Sequence, residues 1–218
     1  MKATFFLTVI FMVFFFAEGF SQTFSHKELY DSDFNFTEGL YLTQKDFSEN
    51  HPIEKSRINT TLDPDNLTFF EQLTLQKTIT IYDNIGQEIT IKTSEIFGYC
   101  SSGGIYILNN GVFTRIGIIG KICHFLGSKT VANPGYWDNN LMRYVYPETS
   151  TELQQYILDI ESGKILEYTA ANLDTILIKD SVIHEEFSKL PRKKKNAKKY
   201  YYMRLYNEKH PLYVPVYK

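Results

Sequence analysis

The most apolar part of the sequence is its first segment. Lys2 is followed by an uncharged apolar run from Ala3 to Ala17, and small residues come next. A basic start, an apolar core of about 15 residues and a small-residue exit are typical of a secretory signal peptide. The run is shorter than the roughly 20 apolar residues that span a bilayer. We therefore expect residues 1–21 to be a signal peptide, cut before Gln22 or before Phe20. An uncleaved anchor helix is the alternative.

Beyond this segment, short apolar and β-branched stretches alternate with polar turns, as strands of an antiparallel sheet do. Asn110-Gly111 is the strongest hairpin signal because both residues tolerate positive φ. The pattern predicts a β-meander with the strands Phe69–Leu75, Ile79–Tyr82, Glu88–Lys92, Ile96–Cys100, Ile105–Leu108, Val112–Ile116 and Ile118–Phe125.

The segments beside the meander are less regular. Residues 22–37 are polar and predict a loosely ordered start. Thr43 with Asp46 approximates a capping box and predicts a short helix to about Ser48. Residues 126–150 contain Gly, Pro, Asn and the single Trp, and this composition predicts a long loop.

The hydrophobic period changes in the last third of the chain. Leu153–Asp159 and Lys164–Tyr168 predict one more hairpin around Glu161-Ser162-Gly163. Helical spacing then predicts three helices: one from Asn172, a second capped by Asp180 or Ser181, and a third over 197–208 that buries Tyr201, Leu205 and Met203.

These elements predict an α+β protein. We expect an antiparallel β-meander sheet, open or curled, with a short N-terminal helix and a helical C-terminal third. Residues 22–150 would form the mainly antiparallel β domain. Residues 151–218 would add the hairpin and a basic helical segment, packed on the same core.

Charge is unevenly distributed along the chain. Residues 22–188 hold 12 basic and 23 acidic side chains, whereas residues 189–218 hold 10 basic and 1 acidic. The basic segment predicts a solvated helix face, with docking onto the chain's own acidic body or onto an anionic envelope surface as alternatives. Because the chain carries an export signal, we do not expect nucleic acid as a partner.

Cys100 and Cys123 are the only cysteines, and outside the cytoplasm such a pair can oxidise. In an open meander, two strands separate them and place them about 14 Å apart. A disulfide needs Cα atoms within about 7 Å, so this bridge requires a curled or folded-over sheet. Two buried free thiols are the alternative.

The residues around the two cysteines do not form a recognisable catalytic or metal-binding pattern. Cys123 and His124 are neighbours on a strand and point to opposite faces, and Cys100 meets His124 only if their strands meet. The sequence has no zinc-ligand spacing. We therefore predict no catalytic residues, no metal site and no cofactor.

Tyr136 and Trp137 form the most distinctive aromatic pair, and Tyr144 and Tyr146 follow closely. Rings of this type can form a platform for a sugar or a peptide. The alternative is a loop folded over the core.

Four stretches carry a family resemblance: Gly39–Phe47 (GLYLTxxDF), Ile96–Cys100 (IFGYC), Leu158–Lys164 (LDIESGK) and Tyr206–Tyr213 (YNEKHPLY). The chain resembles a family of uncharacterised exported proteins typical of Bacteroidota, a domain of unknown function. The resemblance implies an envelope setting and carries no activity with it.

The functional expectation follows from the export signal and from the lack of catalytic patterns. We expect an extracytoplasmic protein, periplasmic or secreted, that acts as a non-enzymatic binding or envelope-associated accessory protein. Its partner would be an unknown envelope or extracellular component, and no transmembrane segment would remain after signal cleavage. An envelope hydrolase with an unrecognised site is the alternative, and a structural or chaperone-like accessory protein is a third hypothesis.

Overall fold

A computed structural model describes residues 24–217 of the chain, so the predicted signal peptide at 1–21 lies outside the described residues. The helices are α1 (Gln44–Ser48), α2 (Phe69–Thr74), α3 (Ala170–Leu177), α4 (Ser181–Ser188) and α5 (Arg192–Lys209). The strands are β1 (Phe24–Leu29), β2 (Gly39–Tyr41), β3 (Ile58–Asn59), β4 (Thr78–Tyr82), β5 (Glu88–Lys92), β6 (Gly98–Ser101), β7 (Gly104–Asn109), β8 (Val112–Ile118), β9 (Ile122–Asn133), β10 (Tyr136–Asp138), β11 (Arg143–Val145), β12 (Glu148–Asp159), β13 (Lys164–Glu167) and β14 (Tyr213–Tyr217).

The central element is a seven-stranded antiparallel sheet in the order β13-β12-β9-β8-β7-β6-β2. Its middle is the predicted meander. The β7–β8 turn has φ of 51° at Asn110 and 79° at Gly111, the left-handed conformation that favours this residue pair. The α+β class, the curled antiparallel sheet and the helices of the C-terminal third are confirmed.

The prediction of a strand for the first stretch of the meander is wrong. Residues 69–75 were predicted as a strand because they are aromatic and β-branched, but Phe69–Thr74 forms helix α2. Phe69, Phe70 and Leu73 are all buried, and this spacing places them on one helix face. The β4–β5 hairpin is confirmed, but it pairs with β3 in a separate three-stranded sheet.

The prediction of a long loop at residues 126–150 is also wrong. β9 and β12 continue through it as a ribbon of twelve residue pairs, from Ile122–Asp159 to Asn133–Glu148. A second hairpin, β10–β11, extends the ribbon. Outer ribbon residues such as Thr130, Ala132 and Thr151 are exposed, so the sequence lacks the apolar alternation of a half-buried strand.

The predicted loose start at 22–37 contains a strand as well. β1 pairs antiparallel with β14, from Phe24–Tyr217 to Leu29–Tyr213. The backbone N–H of Tyr30 continues the contact by donating to the Leu212 carbonyl at 2.8 Å. The partner of β1 is thus distant in sequence, and the local sequence pattern could not indicate this pairing.

The three C-terminal helices form as predicted, but the buried face of α5 differs from the predicted one. Thr169 caps α3 and Asp180 caps α4 through side-chain hydrogen bonds. α5 begins at Arg192, five residues earlier than predicted, and buries Tyr202, Met203 and Tyr206. Tyr201, which was predicted to be buried, is 58% exposed, and Leu205 is half-buried.

Both faces of the central sheet are covered. On one face, Cys100, Ile105, Ile107, Phe125 and Leu158 pack against a layer from the N-terminal segment, α1 and β14 that includes Phe36, Phe47, Leu212 and Val214. On the other face, Leu40 and Tyr99 pack under α2 and the three-stranded sheet. Ile122 and Ile157 pack on that same face under α3, α4 and α5.

Phe47 is central to the first core because its ring lies 5.2 Å from Phe36, 5.4 Å from Tyr41 and 5.6 Å from Phe97. We expect Phe47→Ala to lower the free energy of unfolding by about 3–5 kcal/mol, since it removes a buried ring and leaves a cavity. Urea unfolding measures this change. Val182→Ala, at an exposed position, is the control and should stay within about 0.5 kcal/mol of the unmodified protein. Equal losses in both variants would contradict this core assignment.

Asp180 makes the stability of the helical third depend on pH. The Ile183 N–H donates to its carboxylate, His210 lies 2.8 Å away, and together they lower the pKa of Asp180 from 3.8 to about 2. A lowered carboxyl pKa stabilises the fold above about pH 4, and this contribution disappears as the pH falls through about 2. Asp180→Asn should therefore destabilise the protein at pH 6 and match it near pH 2.

Chemical unfolding at a series of pH values measures this effect, and Asp65→Asn, an exposed carboxyl, is the control. A stability difference for Asp180→Asn that stays constant from pH 6 to pH 2 would show that the charge of Asp180 contributes nothing.

Candidate functional site

An aromatic column stands on the sheet face beneath α2. Tyr99 on β6 lies directly opposite Tyr106 on β7, and their rings stack with centroids 4.7 Å apart at 11°. Phe70 of α2 stacks on the other side of Tyr99 at 5.7 Å. Phe113 of β8 packs against Tyr99 at 5.4 Å. Cross-strand register therefore brings rings from three strands together beside one helix.

A cavity of about 530 Å³ opens beside this column. Tyr99, Tyr106 and Phe113 line it from the sheet, while Leu67, Glu71 and Leu75 line it from α2 and its flanks. The last three residues are spaced four apart, so they lie on one side of the helical segment. The opposite side of α2 is buried through Phe69, Phe70 and Leu73, which orients the helix over the cavity.

Three polar side chains that line the cavity have no hydrogen-bond or ion-pair partner among the described residues. Neither the Tyr99 nor the Tyr106 hydroxyl makes a hydrogen bond among residues 24–217, and Glu71 has no ion-pair partner there. Burial, with the nearby Tyr106 and Glu71, raises the pKa of Tyr99 to about 12. The phenol therefore stays protonated and can donate a hydrogen bond. Two phenols and a carboxylate thus face a cavity with aromatic and aliphatic walls, an arrangement suited to binding.

The two cysteines do not form the disulfide that the sequence allowed. Both are free thiols, fully buried in the same core, on strands that β7 and β8 separate. Cys100 Sγ lies 3.5 Å from the Phe36 carbonyl oxygen and Cys123 Sγ lies 3.3 Å from that of Gly120. Burial raises the pKa of each thiol to about 12. Neither therefore has the character of an activated nucleophile.

His124 lies away from both thiols. Its ring packs against Tyr168 at 5.0 Å, and its Nε2 is 3.3 Å from Gln155 Oε1, on the sheet face that carries the helices. Cys100 belongs to the core on the opposite face. The structure therefore brings no thiol–imidazole pair together in this region.

Tyr136 and Trp137 are exposed at the end of the ribbon and do not fold over the core. Trp137 pairs with Tyr144 and Tyr136 pairs with Val145, so the two predicted platform residues point to opposite faces of the hairpin. Tyr146 contacts Tyr144 edge-on at 5.5 Å and joins the Trp137 side. A single surface formed by Tyr136 and Trp137 is therefore absent, while ligand binding by these rings stays a prediction.

Three carboxylates that lie close together in sequence with another acidic residue, Asp159, Glu161 and Glu185, are engaged in ion pairs. Asp159 and Glu161 both contact Lys179, each at 2.9 Å, and Glu185 pairs with Lys189. Across residues 24–217, no group of three or more His, Cys, Asp or Glu side chains is arranged to hold a metal ion. These carboxylates therefore stabilise the helical third and its contact with the β12–β13 hairpin.

The basic segment divides between internal contacts and solvent. Lys195 pairs with Asp174 at 2.9 Å, and Lys199 donates to the Tyr168 carbonyl at 2.6 Å. The remaining positive charge near the start of α5 is exposed: Arg192, Lys193, Lys194 and Lys198. Part of the segment thus docks on the chain itself, while an anionic envelope surface as partner stays a prediction.

Sequence reasoning missed the cavity residues Glu71, Tyr99, Tyr106 and Phe113. The available signal was the four-residue spacing of Leu67, Glu71 and Leu75, which the strand assignment of this segment concealed. The cross-strand stack could not be found without the register of β6 and β7.

No protein-family model, no curated protein and no solved structure matches the chain. None of the helices between residues 24 and 217 has the length and apolar character needed to cross a membrane.

The state of the two thiols is directly measurable. At about pH 8 a buried thiol with a pKa near 12 is almost wholly protonated, so we expect both cysteines to resist alkylation in the folded protein and to react after unfolding. Mass spectrometry counts the added groups, and the unfolded, reduced protein is the control. A mass about 2 Da lower before reduction would reveal a Cys100–Cys123 bridge and contradict the structure.

Proposed function

We propose that this chain is an exported, non-enzymatic binding protein whose ligand occupies the cavity beside α2. Export rests on the signal-like segment at residues 1–21. Membership of the exported Bacteroidota family rests on the four resembling stretches. Together they favour a periplasmic or secreted accessory protein that acts on an envelope or extracellular component.

One observation carries the binding proposal: Tyr99, Tyr106 and Glu71, whose polar groups have no partner among the described residues, all line one aromatic cavity. Unpaired polar groups at a cavity gain hydrogen bonds when a ligand supplies partners. Glu71 accepts hydrogen bonds and repels anions, which favours an uncharged or cationic ligand with donor groups.

The rim favours a ligand that also has an apolar part. Leu67 and Leu75 are each 83% exposed, and Val112 is 51% exposed at the same opening. Three aliphatic side chains around an aromatic cavity form an apolar surface that a ligand would cover. The ligand is therefore a small amphipathic molecule with hydroxyl or amine donors and an apolar ring or chain. A glycoside with an apolar substituent has this chemistry.

We expect p-nitrophenyl glycosides to bind the mature protein without being hydrolysed. Glu71→Gln should weaken binding by about tenfold, because a hydrogen bond to a charged acceptor becomes a neutral one. Tyr106→Phe should weaken it by a smaller factor. Calorimetry measures the affinity, and nitrophenol absorbance measures hydrolysis in the same samples.

Glu152→Gln is the matched control, since Glu152 is an exposed carboxyl on the β9–β12 ribbon. Equal affinities in the Glu71 and Glu152 variants would place the ligand elsewhere. Enzyme-dependent release of nitrophenol would favour the envelope hydrolase alternative.

A further inference from the structure

Six exposed large hydrophobic side chains are concentrated within eleven residues at the end of the ribbon. We call residues 136–146 the arm tip. Outward of the Thr130–Thr151 pair, β9 and β12 pair only with each other within residues 24–217, and β10 and β11 pair only with each other. The large exposed hydrophobic side chains of the tip are Tyr136, Trp137, Leu141, Met142, Tyr144 and Tyr146.

Side-chain chemistry changes in a definite order along the arm. The outer stem is largely polar, with exposed Thr130, Glu148, Thr149 and Thr151. The aromatic side chains come next, on β10, β11 and Tyr146. Asp138 and Arg143 follow, and the apex is the turn 139–142, in which exposed Asn139 and Asn140 precede Leu141 and Met142, which are 58% and 75% exposed. From stem to apex, the order is polar, then amphipathic aromatic, then one acidic and one basic residue, and last a turn with two amide and two aliphatic side chains.

The aromatic side chains lie on both faces of the hairpin. Trp137 and Tyr144 share one face, while Tyr136 and Val145 share the other. A groove or a flat protein surface would cover only one of these faces. A medium that surrounds the tip covers both faces and the apex at once, which favours end-on insertion.

A lipid bilayer interface accommodates this mixture of side chains. The headgroup region favours the amphipathic rings of Trp and Tyr and still hydrates the charged and amide side chains beside them, the first acyl carbons accept Leu141 and Met142, and water solvates the polar stem. Two backbone N–H groups at the apex are already hydrogen-bonded within the hairpin. Asp138 Oδ1 accepts hydrogen bonds from the N–H groups of Asn140 at 2.8 Å and Leu141 at 3.1 Å. Internal pairing lowers the cost of removing these groups from water.

The charge of the tip indicates which lipids it accepts. Asp138 and Arg143 face each other across the hairpin and cancel, so residues 136–146 have no net charge. Attraction to anionic lipid therefore contributes little, unlike at the basic start of α5. We propose that the arm tip inserts end-on into the interface of a lipid bilayer, with the aromatic side chains at headgroup level. This inference does not depend on the cavity or its ligand.

The sequence provides a probe, because Trp137 is the only tryptophan. On adding phosphatidylcholine vesicles, we expect Trp137 emission to shift to shorter wavelength and to be quenched by lipids brominated near the carbonyl end of the acyl chain. Vesicles containing phosphatidylglycerol should give the same affinity, with little dependence on salt.

The variant Leu141→Asp/Met142→Asp should weaken vesicle binding at least about tenfold, because it puts two charges where the apex enters the bilayer. Leu153→Asp/Val182→Asp is the matched control, since it adds the same charge at exposed apolar positions outside the tip. This control should bind as the unmodified protein does. Circular dichroism checks that both variants are folded.

Four results would overturn the proposal. Trp137 could show no shift or quenching with any vesicle, or the apex variant could bind as well as the matched control. Binding that requires phosphatidylglycerol and is lost in salt would assign the interaction to the basic segment of α5. An emission shift that follows protein concentration without lipid would assign the tip to contact between copies of the chain.

Discussion

The central sheet is apolar on both faces, and the need to cover both faces accounts for the arrangement of the other elements. Alternation along β6 and β9 sends Cys100 and Cys123 to one face and Tyr99 and Ile122 to the other. A sheet of this kind cannot leave either face in water. One face is covered by a layer that combines the N-terminal segment with β14. The other is covered by α2 and the small sheet at one end and by the three C-terminal helices at the other.

The candidate site lies where one of these coverings ends. The core under α2 includes Tyr99 of β6, and the core under the helices includes Ile122 of β9, with β7 and β8 between them in the sheet. Tyr106 and Phe113 are half-buried, and Leu126 is 53% exposed. The cavity is thus the edge of a hydrophobic core, and this origin explains its rings and aliphatic rim. Its unpaired hydroxyls and carboxylate are not required for covering the sheet.

The parts of the fold that local chemistry determines could be predicted from the sequence. Asn110-Gly111 forms its turn and Asp180 caps its helix because each acts on its own neighbours. The predictions failed where packing against residues distant in sequence determines the secondary structure. The apolar and β-branched residues of 69–75 favour a strand, yet Phe69–Thr74 forms a helix whose Phe70 packs against Tyr99. The candidate site depends on the same long-range register, so the sequence could indicate Cys100, Tyr136 and Trp137 but not the cavity beside Tyr99.

The pairing of β1 with β14 has a consequence for how the chain reaches its fold. β1 is the first described strand, and its partner β14 is synthesised after every other described element. The core around Phe47 includes Leu212 and Val214, so this layer stays incomplete while the sheet and the helices are already available. Contacts of such large sequence separation form late and slowly. The chain therefore passes through a stage in which one apolar face of its sheet is open, when it is most exposed to aggregation and most accessible to chaperones.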